Sequence, residues 1–285
     1  MISCSFFGGL GNNLFQLANL LSIHKKYGYD MIVPRMTDRG NIGIYNQSTK
    51  LELEDLFENE FNYVNDVNGD DLAKRYGMKV YIHDDVHLSK TDYSYKEVPL
   101  TDNTLHYGYF QSEKYFNGID ISKELILNKD KILFIRDKYK NLFNKKTISL
   151  HYRLAGDRIT QTMQHYHKNI SVDYYKKALE VLDYTPENYN ILVFSDNITL
   201  AKKLLDPLGY DFHYINNNEN DNVLDFIHMS QCDYNIVGNS TYSWWSAYMN
   251  NNVSKKVVVS EKEYFGPGYQ HFNMTDIFPS NWIKI

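Results

Sequence analysis

Cysteine is nearly absent from this chain of 285 residues: Cys4 and Cys232 are the only two, and they lie far apart in sequence. Two such residues build neither a disulfide framework nor a closely spaced thiolate metal pair, so a reducing, cytoplasmic setting is expected. Proline (6) and glycine (15) are scarce too, which excludes collagen-like and linker-type chains. No uninterrupted hydrophobic run exceeds four residues (Ile132 to Ile135 and Ile191 to Phe194), against about 20 needed to cross a bilayer. There is no excess of positive charge; the net charge is -5, the wrong sign for coating nucleic acid or anionic membranes. Any anionic ligand must therefore be held by local geometry. Several motifs are missing as well. There is no G-x-x-x-x-G-K-[ST] loop, no G-x-S-x-G elbow and no D-x-D triplet, which argues against P-loop, hydrolase and metal-dependent sugar-transfer chemistry.

What is present is alternation. Ile2 to Phe7 is a short apolar run closed by Gly8-Gly9-Leu10-Gly11, and Leu14, Leu17, Ala18 and Leu21 then mark a helical stripe. Met31 to Pro34 reads as a second strand, so the chain is expected to open with a βαβ unit whose two strands pair in parallel. Residues 38 to 103 are dominated by Asn, Asp and Tyr, and only short helices near 52–58 and 70–77 can be placed there. Leu105 to Phe110 looks like a strand, and Lys129 to Phe143 like a helix connecting two halves. In the second half Thr147 to Tyr152, Asn190 to Ser195, Phe212 to Ile215, Tyr234 to Val237 and Lys256 to Val259 read as strands. Helical patterns at 172–183, 198–205, 222–231 and 242–250 lie between most of them. This order implies an α/β protein of two Rossmann-like domains with parallel sheets, divided at 1–140 and 141–285. Ligands of such sheets bind beyond the carboxyl ends of the strands, so the expected site is a cleft lined by those ends.

Four strings stand at such ends. Gly8-Gly9-Leu10-Gly11-Asn12-Asn13 could present backbone N–H groups and a helix dipole to an anion or a sugar hydroxyl. It is not a dinucleotide fingerprint, since Leu14 falls where G-x-G-x-x-G needs its third glycine; the plain alternative is a tight turn with Asn12 or Asn13 capping the helix. His151-Tyr152-Arg153-Leu154-Ala155-Gly156-Asp157-Arg158 leaves the first strand of the second half, where an arginine fork suits a diphosphate. The plain alternative is a surface turn with Arg153 paired to a carboxylate. Ser195-Asp196-Asn197 could bind a base or ribose, or simply cap the next helix. Asn239-Ser240-Thr241-Tyr242-Ser243-Trp244-Trp245 packs hydroxyls and N–H groups into a helix start, as a phosphate requires, while the two indoles read as core. His83-Asp84-Asp85-Val86-His87 and His165-Tyr166-His167 contain metal-ligand types but sit in polar loops, and no metal is expected at either.

Taken together and in order, these strings resemble the α-1,2-fucosyltransferase family. Gly8 to Ala18 is similar to G-G-L-G-N-Q-L-F-Q-x-A, Tyr109 to Phe116 to Y-[FW]-Q-S-E-x-Y-F, Phe194 to Asn197 to F-S-D-D, and Asn239 to Trp245 to N-S-S-F-S-W-W. The family's H-V-R-R-G-D-Y is one residue longer here, with leucine at the second arginine. The resemblance implies a GT-B type, metal-independent, inverting transferase without a cofactor, moving L-fucose from GDP-β-L-fucose to the 2-hydroxyl of a terminal galactose. It further implies an acceptor-side N-terminal domain and a donor-side C-terminal one. Arg153, Asp157 and Asn12 would be catalytic, with Arg153 clamping the pyrophosphate and Asp157 a candidate base. His151, Ser195, Asp196, Asn239, Ser240, Thr241, Ser243, Gly9 and Gly11 would bind the donor, and Gln16 would support Asn12. The altered 151–158 loop keeps two alternatives open: another GDP-sugar or acceptor, and a non-catalytic glycan binder on the same fold.

Overall fold

The structure is a computed structural model that describes residues 1–35, 49–65, 67–86, 93–154, 165–217, 222–269 and 272–285. The chain divides into two units, Met1–Leu127 with Phe272–Pro279, and Asn128–His271 with Ser280–Ile285.

In the first unit, β1 (Ile2–Cys4) leads through the glycine turn into α1 (Leu10–Tyr27). The leucine stripe is buried, and so are the polar residues Asn13, Gln16 and Asn19 between its members. Gly28 closes α1 in the left-handed conformation (φ 69°), its N–H donating to the His24 carbonyl, with Lys25 and Lys26 in the last turn. There follow β2 (Val33–Arg35), α2 (Thr49–Leu56), β3 (Tyr63–Asn65), α3 (Gly69–Tyr76), β4 (Lys79–Ile82), β5 (Thr104–Tyr107) and α4 (Ile121–Glu124). The ladder runs β1-β5-β4, all parallel, beside a separate parallel pair β2-β3. The expected β1–β2 pairing is thus reduced to one parallel bridge, Ile2 to Met31. The β1 ladder is made instead with β5, a strand about a hundred residues downstream, while Val33 to Arg35 pair with Tyr63 to Asn65.

The second unit begins with α5 (Lys129–Lys138), followed by β6 (Lys146–Tyr152), α6 (Val172–Val181), β7 (Tyr189–Ser195), α7 (Ile198–Leu205), β8 (Phe212–Tyr214), α8 (Asn222–Ser230), β9 (Tyr234–Ile236), α9 (Thr241–Tyr248), β10 (Val257–Val259) and β11 (Ile283–Lys284). Six strands form one parallel sheet in the order β11-β10-β9-β6-β7-β8. The central strands are buried along almost their whole length, the state in which parallel strands become continuous apolar runs. Ile148, Leu150, Ile191 and Val193 pack under Tyr174, Ala178 and Leu179 of α6. The expected connector helix is not a linker. It packs on α8, which moves the boundary between units from 140/141 to 127/128. The last segment, Phe272–Pro279, returns to the first unit, where Asp276 accepts from the Tyr95 N–H (2.7 Å) and pairs with Lys114 (2.6 Å). The chain then ends as the edge strand β11 of the second unit.

Candidate active site

All six strands of the large sheet run the same way, so their carboxyl ends share one edge, and the register fixes what stands there. Leu150 lies opposite Ile236 and Tyr152 opposite Ser195, so the segments after β6, β7 and β9 are neighbours. Arg153, the first residue after β6, is joined through Nε to Asp196 Oδ2 at 3.1 Å, with side chains about one-third and one-quarter exposed. The other oxygen of Asp196 accepts from the Leu154 N–H at 2.7 Å. One carboxylate therefore orients both the guanidinium and the backbone that carries it.

On β6 itself His151 is buried, its ring 5.5 Å from that of Tyr242 and its carbonyl accepting from the Tyr175 hydroxyl at 2.8 Å. A Cβ at Gly238 would stand 2.6 Å from that carbonyl; the approach of β9 to β6 thus requires glycine there. Ser195 Oγ accepts from the Asn197 N–H (3.1 Å), and Asn197 caps α7 by accepting from Leu200 N–H (3.0 Å). Of the three candidates Ser195, Asp196 and Asn197, the cap is therefore Asn197, and Asp196 serves Arg153.

Ser240 caps α9, its Oγ accepting from the Tyr242 N–H at 3.3 Å. Thr241 is half-buried in the first turn. Ser243 is buried and turns its hydroxyl inward, to the Ser240 carbonyl (3.2 Å) and the Gly238 carbonyl (3.4 Å). Asn239 donates to the Lys168 carbonyl at 2.6 Å and so tethers the 165–171 segment. That segment is also stapled by Glu263, which accepts from the Ser171 N–H (2.8 Å) and hydroxyl (2.7 Å). Trp244 and Trp245 are fully buried, as expected for core; Trp244 stacks on Tyr248 and meets Trp282. Asp157 lies outside the described residues, as does His87.

The remaining candidates stand in the first unit. Gly8 is left-handed (φ 81°), and a Cβ there would run into the Asn12 side chain. Gly9 caps α1 without a side chain, so neither Asn12 nor Asn13 is the cap. Gly11 is buried in the first turn. Gln16 is fully buried, donating to the Gly108 carbonyl (3.1 Å) and receiving the Phe7 N–H (3.3 Å) and an Asn13 amide hydrogen (3.2 Å). It ties the loop after β1 to the loop after β5. Asn12 Oδ1 accepts from Gln111 Nε2 at 3.0 Å.

Nothing local in the sequence marks Gln111, within the Tyr109–Phe116 string, as part of a site, and Asp85 and His83 carry only the signature of possible metal ligands. Gln111 is the partner of Asn12, and Asp85 in turn accepts from the N–H groups of Tyr109 and Phe110, just before Gln111 in the chain. No group of three or more His, Cys, Asp or Glu residues that could hold a metal ion occurs among the described residues. Both thiols are buried and shifted up, Cys4 well above its ordinary value and Cys232 to about 12, in each case chiefly by desolvation, so neither is a nucleophile. None of the described helices is long and apolar enough to cross a membrane.

Two α/β units, one presenting an arginine, a carboxylate and a capped helix start on a single parallel-sheet edge, define a GT-B type glycosyltransferase fold. The sequence profile of glycosyl transferase family 11 matches residues 66–285, and the chain belongs to that family. Over its full length it is 27% identical to the full-length O-antigen biosynthesis glycosyltransferase WbnK of Escherichia coli. It is 25% identical to an alpha-1,2-colitosyltransferase of Escherichia coli, over 62% of this chain and 61% of that one. The fold is shared with the fucosyltransferase NodZ from Bradyrhizobium at a TM-score of 0.54 and 14% identity, covering 87% of this chain and 91% of NodZ.

Proposed function

We propose that this glycosyltransferase moves L-fucose from GDP-β-L-fucose to the 2-hydroxyl of a terminal galactose, with inversion and without a metal ion. The observation that carries the reading is the Arg153–Asp196 pair at the carboxyl edge of the large sheet, one strand away from the Ser240-capped start of α9. A bidentate cation beside a helix N-terminus suits a diphosphate whose negative charge grows as it departs. Support for the donor and the linkage comes from relatives: a structure of NodZ was soaked with GDP-fucose, and one sequence relative is named an alpha-1,2-transferase.

In the proposed reaction the galactose O2 attacks C1 of fucose in line, the C1–O bond to the β-phosphate breaks, and GDP leaves with the electron pair. Arg153, Ser240 and Thr241 meet the leaving charge. His151, Ser195, Asp196, Asn239, Ser243, Gly9 and Gly11 bind or shape the donor site, and Gln16 supports Asn12 at the reacting sugar. Asp157 is the proposed acceptor of the O2 proton. A surface polysaccharide made in the cytoplasm is the proposed setting of the acceptor. A second donor is favoured by the colitosyltransferase relative and by the altered 151–158 loop: a GDP-linked dideoxyhexose in place of fucose.

The test is a donor panel of GDP-fucose, a GDP-linked dideoxyhexose, GDP-mannose and UDP-galactose with a β-galactoside, following free nucleotide, with Arg153→Ala as control. GDP release from GDP-fucose is expected, reduced by at least about a hundredfold in the variant, as for loss of a principal charge-stabilising group. Faster release from another donor would reassign the sugar; unchanged turnover in Arg153→Ala would remove its central role.

A further inference from the structure

Asp84 and Asp85 are adjacent, yet they have opposite fates. Asp84 lies outward and pairs with Lys96 at 3.1 Å. Asp85 is only 4% exposed, and a buried carboxylate persists only where donors surround it. It has two backbone donors and an imidazole beside it. His83 Nδ1 lies 3.0 Å from Oδ1, the Tyr109 N–H is 3.0 and 3.1 Å from the two oxygens, and the Phe110 N–H is 2.7 Å from Oδ2. The imidazole also meets the backbone and a hydroxyl: the Asp85 N–H donates to Nδ1 (3.2 Å), and Nε2 lies 2.8 Å from the Tyr115 hydroxyl, whose oxygen accepts from the Lys96 N–H (3.2 Å).

What this network holds is an uncommon piece of backbone. Phe110 has φ 54°, a conformation side-chain-bearing residues rarely adopt. Gly108 admits no side chain, since a Cβ would stand 2.7 Å from both His83 Cβ and the Phe110 ring. The residue that follows this bend is Gln111, whose amide reaches Asn12 at 3.0 Å. Strained backbone kept in place by a buried, fully partnered carboxylate, and aimed at one side chain, is the arrangement found where geometry serves function.

We infer that Asp85 is a positioning residue for glycosyl transfer: through the backbone of Tyr109 and Phe110 it sets Gln111, and Gln111 in turn sets the Asn12 side chain. The inference rests on the proposed place of Asn12 at the reacting sugar. His83 and Tyr115 back Asp85 from behind and complete the device.

The test compares Asp85→Asn, Gln111→Ala and the double variant. Asp85→Asn replaces an acceptor oxygen with an N–H group facing backbone N–H groups. Each single variant is expected to lower kcat of transfer by about 10- to 100-fold, the scale of an ångström misplacement. GDP affinity by calorimetry should stay within about twofold, and the double variant should be no slower than the slower single one. Multiplying effects, or an Asp85→Asn enzyme that loses thermal stability but keeps its kcat, would overturn the inference. Should Asp85→Asn not fold, Tyr115→Phe is the gentler probe; its smaller loss of kcat should vanish in the Gln111→Ala background, and persistence there would count against the device. If wild-type protein transfers nothing from GDP-fucose, the functional proposal fails but this one is still read. The side-chain amide resonance of Asn12 should shift in Asp85→Asn and Tyr115→Phe, and neither substitution should move it once Gln111 is alanine. An Asn12 resonance indifferent to both substitutions, or one that still moves in the Gln111→Ala background, would refute the coupling.

Discussion

His228 lies fully buried among the rings of Tyr139, Phe143 and Phe194, and neither of its ring nitrogens meets a hydrogen-bond partner among the described residues. Desolvation, helped by the charges of Arg136 and Lys138, pushes its pKa down to about 3; burial, helped by His83, pushes His106 down to about 4. Both folded values lie below the ordinary 6.5, so from about pH 6.5 downward the unfolded chain binds protons that the folded chain refuses. Stability then falls by about 1.4 kcal/mol per pH unit for each histidine, as far as pH 4 for His106 and pH 3 for His228. His228→Leu should make the melting temperature fall less steeply between pH 6.5 and 4, whatever its offset at neutral pH. A slope identical to wild type would show that His228 is not the group responsible. At this scale the sequence discloses residues that stand at strand ends and hides those whose partners are distant along the chain. The strand-end places of Arg153 and Asp196 were legible because β6 and β7, which they directly follow, read as strands. Asp85 was not, because its main-chain partners are 24 and 25 residues away and the H-D-D string reads equally as a polar loop.

The elements show the same divide between buried and exposed. Strands β6 and β7 were legible almost to the residue: β7 holds the continuous apolar string Ile191–Phe194, and β6 alternates Ile148, Leu150 and Tyr152 with Thr147, Ser149 and His151. Strands β3 and β4 were not: Tyr63–Asn65 and Lys79–Ile82 are largely exposed or half-exposed, so neither alternation nor a run marks them. The two-residue β11 offers no pattern at all. The turn between β1 and α1 was read correctly as glycine-dependent, and the structure supplies the reason in the φ of Gly8 and its contact with Asn12. Gly8→Ala should cost about 1–2 kcal/mol from the left-handed backbone alone. Differential scanning should find melting lowered by a few degrees, and turnover should fall further because Asn12 is displaced. An alanine variant that matches wild type in both would mean the loop does not hold Asn12 as described.

At the scale of the molecule, the two units were legible from the alternation of strands and helices, but their boundary was not. Lys129–Lys138 has the apolar spacing of any surface helix, and only its packing on α8 assigns it to the second unit. The return of Phe272–Pro279 to the first unit depends on contacts such as Asp276 with Lys114 and Tyr95, between residues more than 160 positions apart, for which no local pattern exists. Membership of glycosyl transferase family 11 makes sugar transfer the activity of the whole. Beyond sugar transfer stand the proposed donor, linkage and stereochemical course. These meet in the product of a reaction between GDP-fucose and a β-galactoside, run with and without EDTA and analysed by NMR. The account predicts a fucosyl residue of α configuration on galactose O2, formed at equal rates in both reactions. A β-linked product, another linkage position, or a rate lost to EDTA and restored by a divalent ion would contradict it.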